Sequence, residues 1–361
     1  MNLILVLNCG SSSIKFRLID PEIEEVHLKG LAENLTTSRA VLTCDDTSYA
    51  LLEGSYEEAL LKIFELVKTK PISAIGHRVV HGGEHFTTSV KIDESVLKAI
   101  ESCSHLAPLH NPISALAIKM AAQKFPFLSQ VAVFDTAFHQ TMPKHAYLYA
   151  LPYEYYETFQ IRKYGFHGTS HRYVTEKAAK MIGKPLESTR FISCHLGNGC
   201  SVAAVKGGSC LDTSMGLTPL EGLVMGKRCG DLDPSVLPFL SEKLKISQDE
   251  VMTILTQKSG LLGISGISED MRLLLESRSP RALLATQIFC YRLAKYIAAY
   301  LVPLQSVDRV IFTGGIGENA PQIRNMVMEH LDFLSLQPLV VETNEEAMIA
   351  KDTMRLLKEK P

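Results

Sequence analysis

Two stretches far apart in the chain have residue types and spacing suited to gripping phosphate. The first runs Leu3-Ile4-Leu5-Val6-Leu7, then Asn8-Cys9-Gly10-Ser11-Ser12-Ser13, then Ile14-Lys15-Phe16-Arg17-Leu18-Ile19. The second runs Phe191-Ile192-Ser193-Cys194, then His195-Leu196-Gly197-Asn198-Gly199-Cys200, then Ser201-Val202-Ala203-Ala204-Val205. In a nucleotide loop of the P-loop or dinucleotide type, the glycine turn opens a helix whose N-terminus supplies the anion site. Here a second strand follows instead, because Lys15 and Arg17 alternate with Ile14, Phe16 and Leu18 at period two. The donors must then be turn N–H groups, the side chains of Asn8, Ser11 and Ser12, and Lys15 reaching in. Either stretch alone is as readily a plain tight hairpin. Two in corresponding places point to a nucleotide clamped between two related lobes.

A third glycine turn, Gly314-Gly315-Ile316-Gly317-Glu318-Asn319, follows the strand Arg309-Val310-Ile311-Phe312 and does open a helix, with Pro321 where a first turn tolerates it. The histidine spacings His167-x-x-x-His171 and His77-x-x-x-His81-x-x-x-His85 invite a metal reading. They run through glycine or β-branched residues and have no cysteine or carboxylate at ligand spacing, so His81 and His171 are expected to be hydrogen-bonded structural histidines.

Strands and helices alternate along the chain, which argues for an α/β fold. Helical spacing of apolar residues covers about 56–68, 94–104 and 282–302, and strands are expected at Ile75–Val80 and at Val131–Phe134, which ends on Asp135. Thr343, with Glu346 three residues on, fits a capping box for the last helix and leaves Glu345 free. With 361 residues the chain exceeds what one core supports, so two domains are expected, and a hydrophobic share of 46% can fill both. A net charge of -2 with both signs dispersed offers no stripe for a nucleic-acid backbone. No apolar run is long enough to span a bilayer, and the apolar start lacks a basic flank, so a cytoplasmic protein is expected. The eight cysteines form no Cys-x-x-Cys pair and read as reduced core residues, although oxidation of Cys9 or Cys200 could block the phosphate turns.

Taken together, Asn8 to Lys15, Gly76-His77-Arg78-Val79-Val80-His81-Gly82-Gly83-Glu84, Phe134-Asp135-Thr136-Ala137-Phe138-His139, Lys163 to His171, His195 to Gly199 and Gly315 to Asn319 resemble the acetate kinases. The resemblance runs from the first strand to the last helix. It implies the superfamily of sugar kinases, actin and heat-shock chaperone ATPases, with two duplicated ribonuclease H-like domains and an ATP cleft between them. The first lobe would be 1–150 plus 348–361 and the second 151–347, with a homodimer formed through the latter. It further implies reversible transfer of the ATP γ-phosphoryl group to acetate, giving acetyl phosphate and ADP, with Mg²⁺, for which Mn²⁺ can substitute.

Carried over residue by residue, the resemblance makes Asp135, His167 and Arg228 catalytic. Arg78, Val80, Leu109, His110, Phe166 and Pro219 become the acetate site. Ser11, Ser12, Lys15, His195, Leu196, Gly197, Asn198, Gly199, Asp270, Met271, Arg272, Gly315, Ile316, Gly317, Glu318 and Asn319 become the nucleotide site, and Asn8 with Glu345 the Mg²⁺ site. Phosphoryl transfer spreads charge over three equatorial oxygens, which suits Arg78 and Arg228 in their glycine-rich settings. A carboxylate acceptor is already ionised near neutral pH and needs no base, so Asp135 is expected to orient an arginine or face the Mg²⁺ water shell. Met271 stands where relatives carry an aromatic residue. Between Leu331 and Thr343 the chain is shorter than its relatives, which would remove a peripheral hairpin. Propionate is the nearest rival substrate; a nucleotide-gated binding module or a sugar kinase would leave Arg78, Arg228, His167 and the apolar pocket without a purpose.

Overall fold

The computed structural model describes residues 2–359, which divide into two units. The first runs to Phe138 and resumes at Asn344; the second spans His139–Thr343.

The first unit is built on the strands β1 Leu3–Cys9, β2 Ile14–Asp20, β3 Glu25–Glu33, β4 Val41–Cys44, β5 Thr47–Ala50, β6 Ile72–Val79, β7 Val90–Lys91 and β8 Ser129–Phe134, in the order β5-β4-β3-β2-β1-β6-β8-β7. β1 runs antiparallel to β2 and parallel to β6, which in turn runs parallel to β8. The parallel centre is covered on both faces, which is why β1 and β6 read as almost unbroken apolar runs. On one face lie the helices Tyr56–Val67 and Asn111–Lys124, with Leu60, Ile63, Phe64 and Ala117 against Leu5, Leu7 and Phe16. On the other lies the C-terminal helix Glu345–Lys358, whose Ile349, Ala350 and Met354 meet Ile4, Val6, Ala74 and Val131.

The second unit repeats the plan with β9 Arg190–Leu196, β10 Cys200–Lys206, β11 Ser209–Thr213, β12 Arg309–Thr313 and β13 Pro338–Val340, in the order β11-β10-β9-β12-β13. Again the first strand of the hairpin runs antiparallel to the second and parallel to the strand that follows the crossover. The helix Gly168–Met181 packs on β9 and β12, and the long helix Pro280–Ala299 packs on the helices Gly260–Ser265 and Pro321–Glu329. The two hairpins read from sequence are therefore the same corner of two sheets of matching order, β3-β2-β1-β6-β8 and β11-β10-β9-β12-β13.

Two expectations need correction. The boundaries expected at 150 and 348 lie earlier. Residues just after 138 are tied to the second unit by Thr141 Oγ1 donating to Cys210 O at 2.8 Å and Lys163 N donating to Tyr147 O at 2.7 Å. Glu345 thus belongs to the first unit. The capping box does not form, because the last helix is capped by Asn344, whose Oδ1 accepts from Ala347 N at 3.1 Å. Asparagine caps as well as threonine, and the Thr343 hydroxyl is engaged with Ser170 Oγ at 2.8 Å. Glu346 is released from capping and forms an ion pair with Lys15, 2.6 Å away, with Arg17 at 3.7 Å.

The C-terminal helix approaches β6 so closely that a Cβ on Gly76 would sit 2.5 Å from Thr353 Oγ1 and 2.7 Å from Ile349 Cγ2. Overpacking of this kind costs about 1–3 kcal/mol. Gly76→Ala should lower the urea midpoint accordingly; an unchanged midpoint would mean that the helix docks less tightly than drawn.

Candidate active site

The first unit places its chemistry at the carboxyl ends of three adjacent strands, where open α/β sheets bind ligands. Asn8 and Arg78 are cross-strand partners on β1 and β6, and Asp135 follows the last residue of β8, its N–H bonded to Val79 O at 3.0 Å. Arg78 Nε donates to both Asp135 oxygens at 3.1 and 3.0 Å, Nη2 donates to Oδ2 at 2.5 Å, and Nη1 donates to Asn8 Oδ1 at 3.0 Å. Burial works against the Arg78 charge, but Asp135 and Glu345 outweigh it and hold the guanidinium above its usual range. Val80, one residue past the strand, is buried beside this cluster in the chain. Leu109 is exposed, and His110 precedes the helix Asn111–Lys124 without capping it through its side chain.

The carboxylates of the last helix join this cluster. Burial pushes Glu345 up to about 7; Arg78 opposes the rise, while Asp135 and Glu346 add to it. For Glu346 burial also works upward, yet Lys15 and Arg17 hold it below the usual carboxylate range. Lys15 is thus pinned to Glu346, a partner that sequence reasoning assigned elsewhere. Ser11 and Ser12 stand exposed on the turn that Gly10 N closes onto Ser13 O at 2.8 Å. Cys9 and Cys200 are buried and their thiols are pushed up to about 12, chiefly by burial. Thiolate chemistry at either is disfavoured.

Asn8 and Glu345 offer oxygen atoms, the donor type a hard cation takes. Excess carboxylate around Glu345 is what a dication would relieve.

In the second unit His167, Arg228 and the β9–β10 turn come together. A Cβ on Gly199 would lie 3.4 Å from Arg228 Nη1 and 3.4 Å from His167 Nε2, so glycine keeps that space open. His167 caps the helix Gly168–Met181 with φ 57°, a left-handed conformation that costs a non-glycine residue about 1–3 kcal/mol and clusters at functional sites. Its ring stacks on His195 with centroids 4.3 Å apart. Arg228 donates to Pro219 O at 3.1 Å and has no carboxylate partner among the described residues; burial lowers its affinity for the proton. Phe166 is buried, its carbonyl 2.9 Å from His139 Nε2.

Next to this corner is a cavity of about 850 Å³ lined by Gly197, Asn198, Asp270, Met271, Arg272, Gly315, Ile316 and Asn319, as expected, and by Glu269, Leu275, Glu276, Ala320 and Gln322, which sequence reasoning missed. Helical spacing could have found two of these: Leu275 and Glu276 lie one turn beyond Arg272 on the helix Met271–Glu276. His195, Leu196, Gly199, Gly317 and Glu318 do not line it. Leu196 is core, and Glu318 turns inward, its Oε1 accepting from Gly314 N at 2.8 Å, Thr343 N at 3.0 Å and Thr313 Oγ1 at 3.1 Å. The segment is the helix Gly314–Asn319 rather than the expected turn, and Glu318 fixes its start, leaving the lining to Gly315, Ile316 and Asn319.

The model of the Acetokinase family matches residues 3–355. The acetate kinase of Thermoanaerobacter pseudethanolicus is 46% identical over 396 aligned positions, covering 98% of this chain and 99% of its own. That alignment exceeds the 361 residues here, so the relative carries segments this chain lacks. Among solved structures, a propionate kinase from Francisella tularensis superposes with a TM-score of 0.95 at 44% identity, covering 99% of this chain and 100% of its own. The acetate kinase of Porphyromonas gingivalis gives 0.93 at 39% identity, again over 99% and 100%.

Two measurements test this geometry. Asp135→Asn removes the charge partner of Arg78, a loss worth about 2–5 kcal/mol for a buried pair; kcat/KM for the carboxylate should fall at least tenfold while nucleotide affinity holds. Gly226→Ala would put a Cβ 2.0 Å from Asn198 Oδ1 and displace that side chain from the cavity wall. A single hydrogen bond is worth about 0.5–1.5 kcal/mol, so calorimetry should find nucleotide binding weakened by up to about tenfold.

Proposed function

The chain belongs to the acetokinase family, phosphotransferases with a carboxyl group as acceptor, and on that footing we propose that its second unit holds the nucleotide while its first holds the carboxylate and the accompanying Mg²⁺. The reaction is reversible transfer of the ATP γ-phosphoryl group to acetate, which gives acetyl phosphate and ADP. The observation that carries the assignment of roles is the Asn8–Arg78–Asp135 cluster, a guanidinium held rigidly at strand ends beside buried, apolar Val80. A short carboxylate needs that pairing of one fixed cation with a small apolar wall.

In this reading Arg78 binds the acetate carboxylate, and Val80, Leu109 and His110 of the same unit bound its methyl group. Asp135 acts by orienting Arg78 through both of its oxygens, since acetate brings no proton to remove. The adenosine occupies the cavity around Asn198, Met271 and Ile316. Met271, nearly buried, would contribute a soft, polarizable stretch of the cavity wall beside the base. Arg228 and His167 meet the transferring phosphoryl group, where positioned positive charge and donors count most in a loose transition state. Mg²⁺, or Mn²⁺ in its place, would be held beside Asn8 and Glu345 and would neutralise charge on the phosphates. Ser11, Ser12 and Lys15 would face the outer phosphates, Lys15 after loosening from Glu346.

Among the described residues no helix is long and apolar enough to cross a membrane. A cytoplasmic homodimer is part of the same proposal, and sedimentation should give twice the mass of 39.9 kDa.

Incubation with MgATP and each short carboxylate, followed by hydroxylamine trapping, should yield most hydroxamate with acetate and less with propionate. One methylene is worth only about 1–3 kcal/mol, so Val80→Ala should shift kcat/KM toward propionate by about tenfold or more. No hydroxamate with any carboxylate would end the assignment.

A further inference from the structure

Behind His167 lies a line of buried side chains that the reaction itself does not use. His167 Nδ1 is 2.9 Å from Ser201 Oγ, Ser201 Oγ is 2.8 Å from His171 Nε2, and His171 Nδ1 is 2.8 Å from Ser193 Oγ. Ser193, Ser201 and His171 have no solvent exposure at all. β9 carries Ser193, β10 carries Ser201 opposite His195, and the helix Gly168–Met181 carries His171. These elements lie at the centre of the second unit, so the line is fixed by the same packing that fixes the fold.

The direction of the protons along this line follows from counting donors. Among the described residues, Ser193 Oγ has His171 Nδ1 as its sole side-chain contact, and Ser201 Oγ has only the two imidazoles. If His171 donated from Nδ1 to Ser193, the buried Ser193 proton would have no acceptor, at a cost of about 1–3 kcal/mol. If Ser193 donates to Nδ1 instead, only oxygen lone pairs are left over, which is cheaper. Burial, reinforced by His139 and His195, holds His171 well below the usual imidazole range, so its ring is neutral and carries one proton. That proton then sits on Nε2 and is given to Ser201 Oγ. The single Ser201 proton has one place left to go, His167 Nδ1.

We propose that Ser193, His171 and Ser201 are positioning residues forming a directed hydrogen-bond relay that fixes His167 in the Nε2–H tautomer, so that its imidazole meets the transferring phosphoryl group as a neutral donor. The relay rests on the assignment of His167 to the phosphoryl group. It explains why a histidine held in a left-handed backbone conformation does not turn over: its inner nitrogen is occupied by a donor, and only the outer one can give a hydrogen bond outward.

The test is a two-bond proton–nitrogen correlation on the whole enzyme labelled at histidine, with the His167 signals assigned by their loss in His167→Gln. At neutral pH the wild-type spectrum should show Nε2 protonated and Nδ1 as an unprotonated acceptor. Ser201→Ala should lose that single-tautomer signature and about tenfold or more in kcat with both KM values little changed, while Ser201→Thr, which keeps the hydroxyl, should recover most of the rate. A wild-type Nδ1–H tautomer, an imidazolium at neutral pH, or a Ser201→Ala kcat within about twofold of wild type would overturn the relay. Should Ser201→Ala fail to fold, the wild-type spectrum decides alone. If His167→Gln proves fully active, the role of His167 fails instead, whichever tautomer the spectrum shows.

Discussion

A guanidinium at the end of a parallel strand has to be neutralised, and in this chain the neutralising carboxylate comes from the end of the next strand but one in the polypeptide and the adjacent one in the sheet. Arg78 on β6 and Asp135 after β8 can meet only if those strands pair in parallel, with Val79 opposite Phe134. That register also sets Asn8 on β1 beside Arg78. The same sheet is closed on one face by the C-terminal helix, whose first turn brings Glu345 and Glu346 to the charge cluster. Core packing and site electrostatics in the first unit are therefore one constraint: shifting the register by one residue would turn Arg78 to the other face and leave Asp135 unpaired.

The duplicated hairpins were legible in the sequence because both signals are local, a turn rich in glycine, serine or asparagine between two β-runs. The strand ending at Asp135 and the helices near 56–68 and 94–104 were local too and stand where periodicity put them, whereas Gly314–Asn319, expected as a turn before a helix, is itself helical. What sequence left hidden were choices between equivalent partners. Thr343 and Asn344 are both good caps, and only the engagement of the Thr343 hydroxyl with Ser170 decides between them. Glu318 sits inside a nucleotide-type turn, yet its carboxylate is used by three donors of the turn and its neighbours. Glu269 and Gln322 line the cavity through tertiary placement alone, with no motif to announce them.

The resemblance supplied what local pattern could not. Nothing in the spacing of Val80, Leu109, Phe166 and Pro219 groups them; that grouping is what the resemblance implies, with Val80 and Leu109 belonging to the first unit and Phe166 and Pro219 to the second. Their apolar character still matters chemically, because a hydroxyl acceptor would demand a base and polar walls, and a carboxylate demands neither.

The two arginines show how one residue type serves two tasks. Arg78 is already compensated: Asp135 takes two of its nitrogens, Asn8 a third, and its charge is held more firmly than in water. A guanidinium in that state is rigid and adds little new attraction, which suits a ground-state carboxylate that must be placed rather than pulled. Arg228 is the reverse, with a backbone carbonyl as partner and burial weakening its hold on the charge. Such a group gains most when negative charge arrives, and in phosphoryl transfer that charge is spread over the equatorial oxygens as the bond to the leaving group loosens. On the proposed assignment, differential stabilisation of the transition state would fall to the arginine without a carboxylate, and orientation to the one that has it.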